Sequence, residues 1–108
     1  MTDREMLELA AKAAGYYFHG LRVGLDYENC FVSTTNDPDD WFIWAPHADD
    51  GDALRLAVKL GIEVWRVPGK AMANGPRISP RISEPNGSDI YAATRRAIVR
   101  AAAEIGRQ

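Results

Sequence analysis

The chain is poor in the residues that most small-protein chemistry needs. Cys30 is the only cysteine, so no intrachain disulfide and no thiolate zinc cage can form, which fits a reducing cytosol. No apolar run approaches the ~20 residues needed to cross a bilayer, and the start "MTDREMLELAAKAAG" lacks the apolar core of a signal peptide, so the expected location is the cytoplasm, without a membrane partner. Neither the phosphate-loop pattern nor the dinucleotide glycine fingerprint occurs. Ser33, Ser79, Ser83 and Ser88 have no nucleophile-elbow context. These absences argue for a non-enzymatic protein with no cofactor.

Cations are missing from one long stretch. Between Arg22 and Arg55 there is no Lys or Arg, while Asp26, Glu28, Asp37, Asp39, Asp40, Asp49, Asp50 and Asp52 all fall there. From Arg55 to Arg81 the balance reverses, with Lys59, Arg66, Lys70 and Arg77 between and only Glu63 against them. Either the two blocks neutralise each other in the fold, or one of them steers a partner. The net charge is −2, which, without a recognisable reading element, argues against nucleic acid as the partner.

What is present reads as one globular domain over 1–108, with 46% hydrophobic residues and enough length to bury a core. Thr2 and Glu5 form a capping box for a helix over Asp3 to Ala14, which Gly15 ends. "YYFHG" connects it to a β-hairpin in which Leu21, Val23 and Leu25 alternate, with a turn near Glu28 and Asn29. "TNDPDD" is turn-forming, and "WFIW" after it is a short strand. A second helix from Asp50 to Leu60 is apolar on most of its circumference, which predicts the buried, central helix of the domain. Gly61 ends it in the left-handed conformation, and "IEVWRV" follows as a strand. From Pro68 to Gly87 prolines and glycines recur, including the tandem "PRIS-PRIS", which leaves an edge strand or an extended loop. A last helix, Asp89 to Ile105, lines Ile90, Thr94, Ala97, Ile98, Ala101 and Ile105 along one face. The expected fold is α+β: three helices packed on one face of a small, mostly antiparallel sheet, in the order α-β-β-(β)-α-β-(β)-α.

The densest chemistry lies in "WAPHADDGDALRLAVKL". His47 with Asp49, Asp50 and Asp52 has the residue types of a divalent-ion site. The same aspartates are what a helix start needs: Asp49 caps free N–H groups, Asp52 reaches back, and both favour the positive end of the dipole. The structural reading is preferred, and no metal ligands are assigned. Cys30 reads as a small buried hydrophobe. Trp41, Trp44 and Trp65 read as core or core-edge residues. Arg95, Arg96 and Arg100 read as a solvated helix face.

Three blocks together, "MTDREMLELAAKAAG", "WAPHADDGDALRLAVKLGI" and "DIYAATRRAIVRAAAEIG", resemble small uncharacterised proteins of tailed phages and prophages of proteobacteria. In those, a Trp-Asn-Pro-Leu element precedes Asp-Asp-Gly-Asp-Ala; here Trp44-Ala45-Pro46-His47 differs at the Asn and Leu positions. A weaker similarity, in the Trp-x-Pro and Ala-Ala-x-Arg elements, is to NinX-like phage proteins. The resemblance implies an accessory protein acting in a bacterial cytoplasm, and it brings no catalytic residues. The expected function is binding of a host or phage macromolecule, as a modulator or inhibitor, with a protein as partner and a homodimer allowed. The "GKAMANGPRISPRISEPNG" loop, with Lys70, Arg77 and Arg81, and the acidic stretch containing Asp39 and Asp40 are the expected contacts. The alternative is a small-molecule or nucleotide binder, with or without metal, around Trp44 to Asp52.

Overall fold

The computed structural model describes residues 2–23, 28–37, 39–79 and 81–108. Helix α1 spans Asp3–Ala14, and the N–H of Glu5 donates to Oγ1 of Thr2 at 3.1 Å. Gly15 closes it with φ 81°, its N–H returning to the last carbonyls. Strands β1 (Tyr17–Val23), β2 (Glu28–Ser33) and β3 (Trp41–Trp44) form one antiparallel sheet in that order. Helix α2 covers Asp50–Leu60. Strands β4 (Glu63–Val67), β5 (Lys70–Asn74) and β6 (Ile82–Pro85) form a second antiparallel sheet, and α3 runs over Ile90–Arg107. The class is α+β as expected, with its strands in two three-stranded sheets.

Several expectations need correction. The predicted connector "YYFHG" is mostly strand: β1 begins at Tyr17 and carries a register shift between Phe18 and Gly20. Glu28 and Asn29 are not the turn, because they pair with Val23 and Arg22 in the ladder. The alternation predicted for Leu21, Val23 and Leu25 falls on side chains outside the described residues, as does Pro80 of the tandem repeat. Lys70 belongs to β5, the middle strand of its sheet, so the supposed long loop contains two strands. Its second proline repeat supplies the edge strand β6, with Ile82 buried.

The central helix is α3, not α2. Packed against α1, α2 and all three strands of the second sheet, α3 buries Ala93, Ala97, Ile98, Val99, Ala101, Ala102, Ala103 and Gly106. Alanine and glycine at those positions let the neighbours come close. A Cβ placed on Gly106 would lie 2.0 Å from the carbonyl oxygen of Leu9, so the α1–α3 crossing requires glycine there. By contrast α2 buries only Ala53, Leu56 and Ala57, and leaves Leu54 63% and Val58 74% exposed.

The first sheet is covered on one face. Cys30, Val32 and Trp44 point into the core with Phe18 and Tyr16 packed against it. Alternation puts Trp41 and Ile43 on the other side, where both are about half exposed and Trp41 meets Phe31 edge-on at 4.9 Å between centroids. Trp44 is thus a core residue, while Trp41 is not.

Candidate protein-docking site

The stretch that opens α2 is built as a helix start. The N–H of Asp52 donates to Oδ2 of Asp49 at 2.8 Å. Asp52 does reach back, but past Asp49: its Oδ2 accepts from the N–H of Ala45 at 2.9 Å, and its Oδ1 from Arg55 at 2.6 Å. The hydrogen bond to Asp52, aided by the charges of Asp52 and Asp49, raises the Arg55 guanidinium above its ordinary value. His47 lines a small cavity with Asp3, Met6, Leu7 and Val99, a cavity that neither Asp49 nor Asp52 lines. Among the described residues no group of three or more His, Cys, Asp and Glu is placed to hold a metal ion.

One histidine–serine pair does assemble, which the sequence did not reveal because its members are fourteen residues apart. Nε2 of His19 lies 2.6 Å from Oγ of Ser33. The Ser33 hydroxyl donates to the carbonyl of Thr35, which leaves the His19 N–H as donor to it. Ser33 is fully buried, so the pair fastens the end of β2 to the following turn and presents no nucleophile to solvent.

The arginines of α3 are tethers, not the solvated face expected. Arg95 donates to the carbonyl of His47 at 3.1 Å and to Oδ1 of Asp50 at 2.6 Å, tying α3 to the start of α2. Arg96 and Arg100 both pair with Glu84, a residue only 8% exposed on β6. Among the described residues of the acidic block, Asp50 pairs with Arg95 of α3, and Asp49 and Asp52 pair with Arg55.

Of the expected partner contacts, the structure separates the basic ones. Lys70 begins β5, opposite Val67 and Pro85. Arg81 lies near the other end of that strand, lining a hollow with Asn74 and Ile78 and stacking over Trp65 at 5.7 Å. Five residues of strand put roughly 13 Å between those ends. Arg77 has φ 62°, and its carbonyl accepts from Nε2 of Gln108 at 2.7 Å. Asp39 and Asp40 are exposed at the start of β3, where Oδ2 of Asp40 accepts from Thr35.

One concave, largely apolar surface lies elsewhere, and Ala53, Leu54, Ala57, Ile90 and Ile98 in it belong to the apolar faces expected of the second and last helices. A groove of about 540 Å³ lies between α2 and α3, with β4 beneath. Ala53, Leu54 and Ala57 form one wall, Ile90, Tyr91 and Ile98 the other, and Val64 the floor. Leu54, Tyr91 and Ile90 are 63%, 65% and 46% exposed, and Val58 extends the same apolar ridge along α2. The Asp50–Arg95 ion pair belongs to the lining. So does Arg66, which donates to the carbonyl of Ile90, to Oγ1 of Thr94 at 2.9 Å and to Oδ1 of Asn86. All three acceptors are neutral, so among the described residues Arg66 keeps its charge without a carboxylate. The one signal for this surface was the nearly all-round apolarity of the second helix, which fits an exposed docking ridge as well as a buried helix.

No protein-family model, curated protein or solved structure matches this chain. No helix among the described residues is long and apolar enough to cross a membrane.

Proposed function

We propose that this chain is a non-enzymatic accessory protein that binds another protein, seating an amphipathic helix of that partner in the α2–α3 groove. The carrying observation is exposed Leu54 across an apolar trough from exposed Ile90 and Tyr91, with Val58 exposed one turn further along α2. Large apolar side chains held this far out of the core mark interaction surfaces when they are contiguous. Two helices with a floor between them give the shape into which an amphipathic helix lays apolar residues at spacings of three and four. Arg66 adds a polar requirement, since a carboxylate on the partner's helix would supply the anion it lacks within the described residues. The phage or prophage setting, the bacterial cytoplasm and a role as modulator or inhibitor come from the resemblance of the three sequence blocks, and they form part of the same proposal.

The alternative, a small-molecule or nucleotide binder at Trp44 to Asp52, has less support. Trp44 and Pro46 are buried, and Asp49 and Asp52 are engaged in capping. The test is site-specific photocrosslinking in bacterial cells, with the crosslinker at Leu54 and, as control, at exposed Arg107 on the far end of α3. A discrete crosslinked protein at position 54, absent at 107 and lost with Arg66→Glu, is expected. The same crosslinked species from both positions would remove the groove as the docking site.

A further inference from the structure

The two sheets expose four edges, and three of them are guarded. On β1 the register shift between Phe18 and Gly20, with Gly20 at φ 126°, interrupts the ladder. Charged Glu63 and Arg66 lie on β4, and β6 carries Glu84 and ends in Pro85. Bulges, charges and proline are the devices by which natural edges avoid pairing with other chains. Strand β3 carries none of these three, and its only protection of this kind is its length of four residues. Its residues are Trp41, Phe42, Ile43 and Trp44, its register with β2 is unbroken, and its first three side chains are 50%, 38% and 54% exposed. Half of its backbone N–H and C=O groups point away from β2, the geometry that accepts an added strand.

We infer that β3 is a strand-addition site for an extended apolar peptide that carries Lys or Arg on its C-terminal side. The charge at the head of the strand fixes this chemistry. Asp37, Asp39 and Asp40 are exposed just before Trp41, and among the described residues no cation pairs with them. A strand added antiparallel, as all strands here pair, brings its C-terminal end beside the head of β3. Cations that follow the apolar segment therefore meet the three aspartates. A second copy of this chain fits poorly, because the segment after its own β3 leads through His47 to Asp49 and Asp50 and would set acid against acid.

The test uses fluorescein-labelled synthetic peptides in which one valine–isoleucine segment is followed by lysines, preceded by lysines, or followed by glutamates. Anisotropy should rank the first peptide about fivefold tighter than the second, the size expected of two exposed ion pairs. Amide exchange should slow within β3 on binding. Ile43→Lys, at an exposed position that leaves the circular dichroism unchanged, should abolish binding, and Asp39→Lys with Asp40→Lys should reverse the lysine preference. Equal affinities for the first two peptides, or an unchanged ranking in the aspartate variant, would overturn the inference. So would concentration-dependent protection of β3 in the protein alone, which would make a second copy the occupant. Leu54→Glu, in the α2–α3 groove, should leave this binding intact, which keeps the two surfaces separately testable.

Discussion

Nη1 of Arg100 donates to Oε2 of Glu84 at 2.6 Å, and the same nitrogen also reaches the carbonyl of Ser83 at 3.0 Å. With Arg96 on the other carboxylate oxygen at 3.2 Å, this clamp fixes edge strand β6 to the central helix. A carboxylate this buried is tolerated because both oxygens are engaged by cations. Glu84→Ala should therefore lower unfolding free energy by about 1–2 kcal/mol, since it removes the shared acceptor of two arginines, a loss that solvent partly offsets at side chains 56% and 39% exposed. Arg96→Ala should cost less than about 1 kcal/mol, because Arg96 is more than half exposed and its loss leaves Arg100 on Glu84. Urea denaturation of the three proteins checks the order, and an Arg96→Ala effect as large as that of Glu84→Ala would refute it.

Gly106 gives the largest expected single-site effect. A methyl group there would penetrate the Leu9 carbonyl of α1, and a backbone group cannot swing aside as a side chain can. Gly106→Ala should destabilise by about 3 kcal/mol or more through separation of the two helices, although alanine is the better helix former. A neutral or stabilising result in thermal unfolding would show that the α1–α3 distance is adjustable.

What was readable in the sequence was local. Thr2, Gly15, Asp49 and Gly61 act where they were expected to, because a cap needs only the backbone within a turn of itself. Which helix is central was not readable in this way. The second helix has the more apolar composition, yet α3 takes the middle place through Ala93, Ala97, Ala101 and Ala102, small residues whose value lies in what they let approach. The α2–α3 groove was hidden for the same reason. Leu54 and Leu56 are the same residue type two positions apart, and only their tertiary neighbours decide the outcome: Leu56 is buried on the side of Ala14, Tyr16 and Trp44, while Leu54 is bared at the rim of the groove. The Arg–Glu84 clamp joins positions 12 and 16 residues apart across elements, beyond the reach of any periodicity.

The two aspartates at the start of α2 should differ in cost. Asp49→Ala removes one cap bond and should cost about 1 kcal/mol. Asp52→Ala strips the partner from the N–H of Ala45, which lies in a residue only 5% exposed, and should cost about 2 kcal/mol. Chelation of divalent ions should leave both melting temperatures unchanged. A melting point that rises with a stoichiometric transition metal and loses that rise in His47→Ala would replace capping by a metal site.

Gly61, at φ 68° and ψ 33°, takes up the chain as it leaves α2 for the second sheet, and the N–H of Ile62 returns to the carbonyl of Ala57 at 2.9 Å. A Cβ would meet nothing within 4 Å, so the cost of Gly61→Ala is conformational alone, about 1 kcal/mol. A Gly61→Asn variant should recover part of it, because asparagine enters the left-handed region more readily. Equal stability of the alanine and asparagine proteins would count against the left-handed cap.

Arg77 presents the opposite case. It is the non-glycine residue described at positive φ, 62°, in the turn after β5, and its side chain has no ion pair among the described residues. Its carbonyl, which every substitution retains, is what accepts from Gln108. Arg77→Gly should thus stabilise the protein by up to about 1 kcal/mol, the left-handed penalty relieved minus the added freedom of the unfolded chain. Arg81→Ala, which removes a cation from the face of Trp65, should destabilise by about 0.5 kcal/mol. The pair of variants also bears on binding. If the basic turn contacts a partner, Arg77→Gly should weaken capture while raising the melting temperature, a combination that loss of folding cannot produce. A lower melting temperature for Arg77→Gly would mean that the arginine side chain contributes more to the turn than its backbone conformation costs.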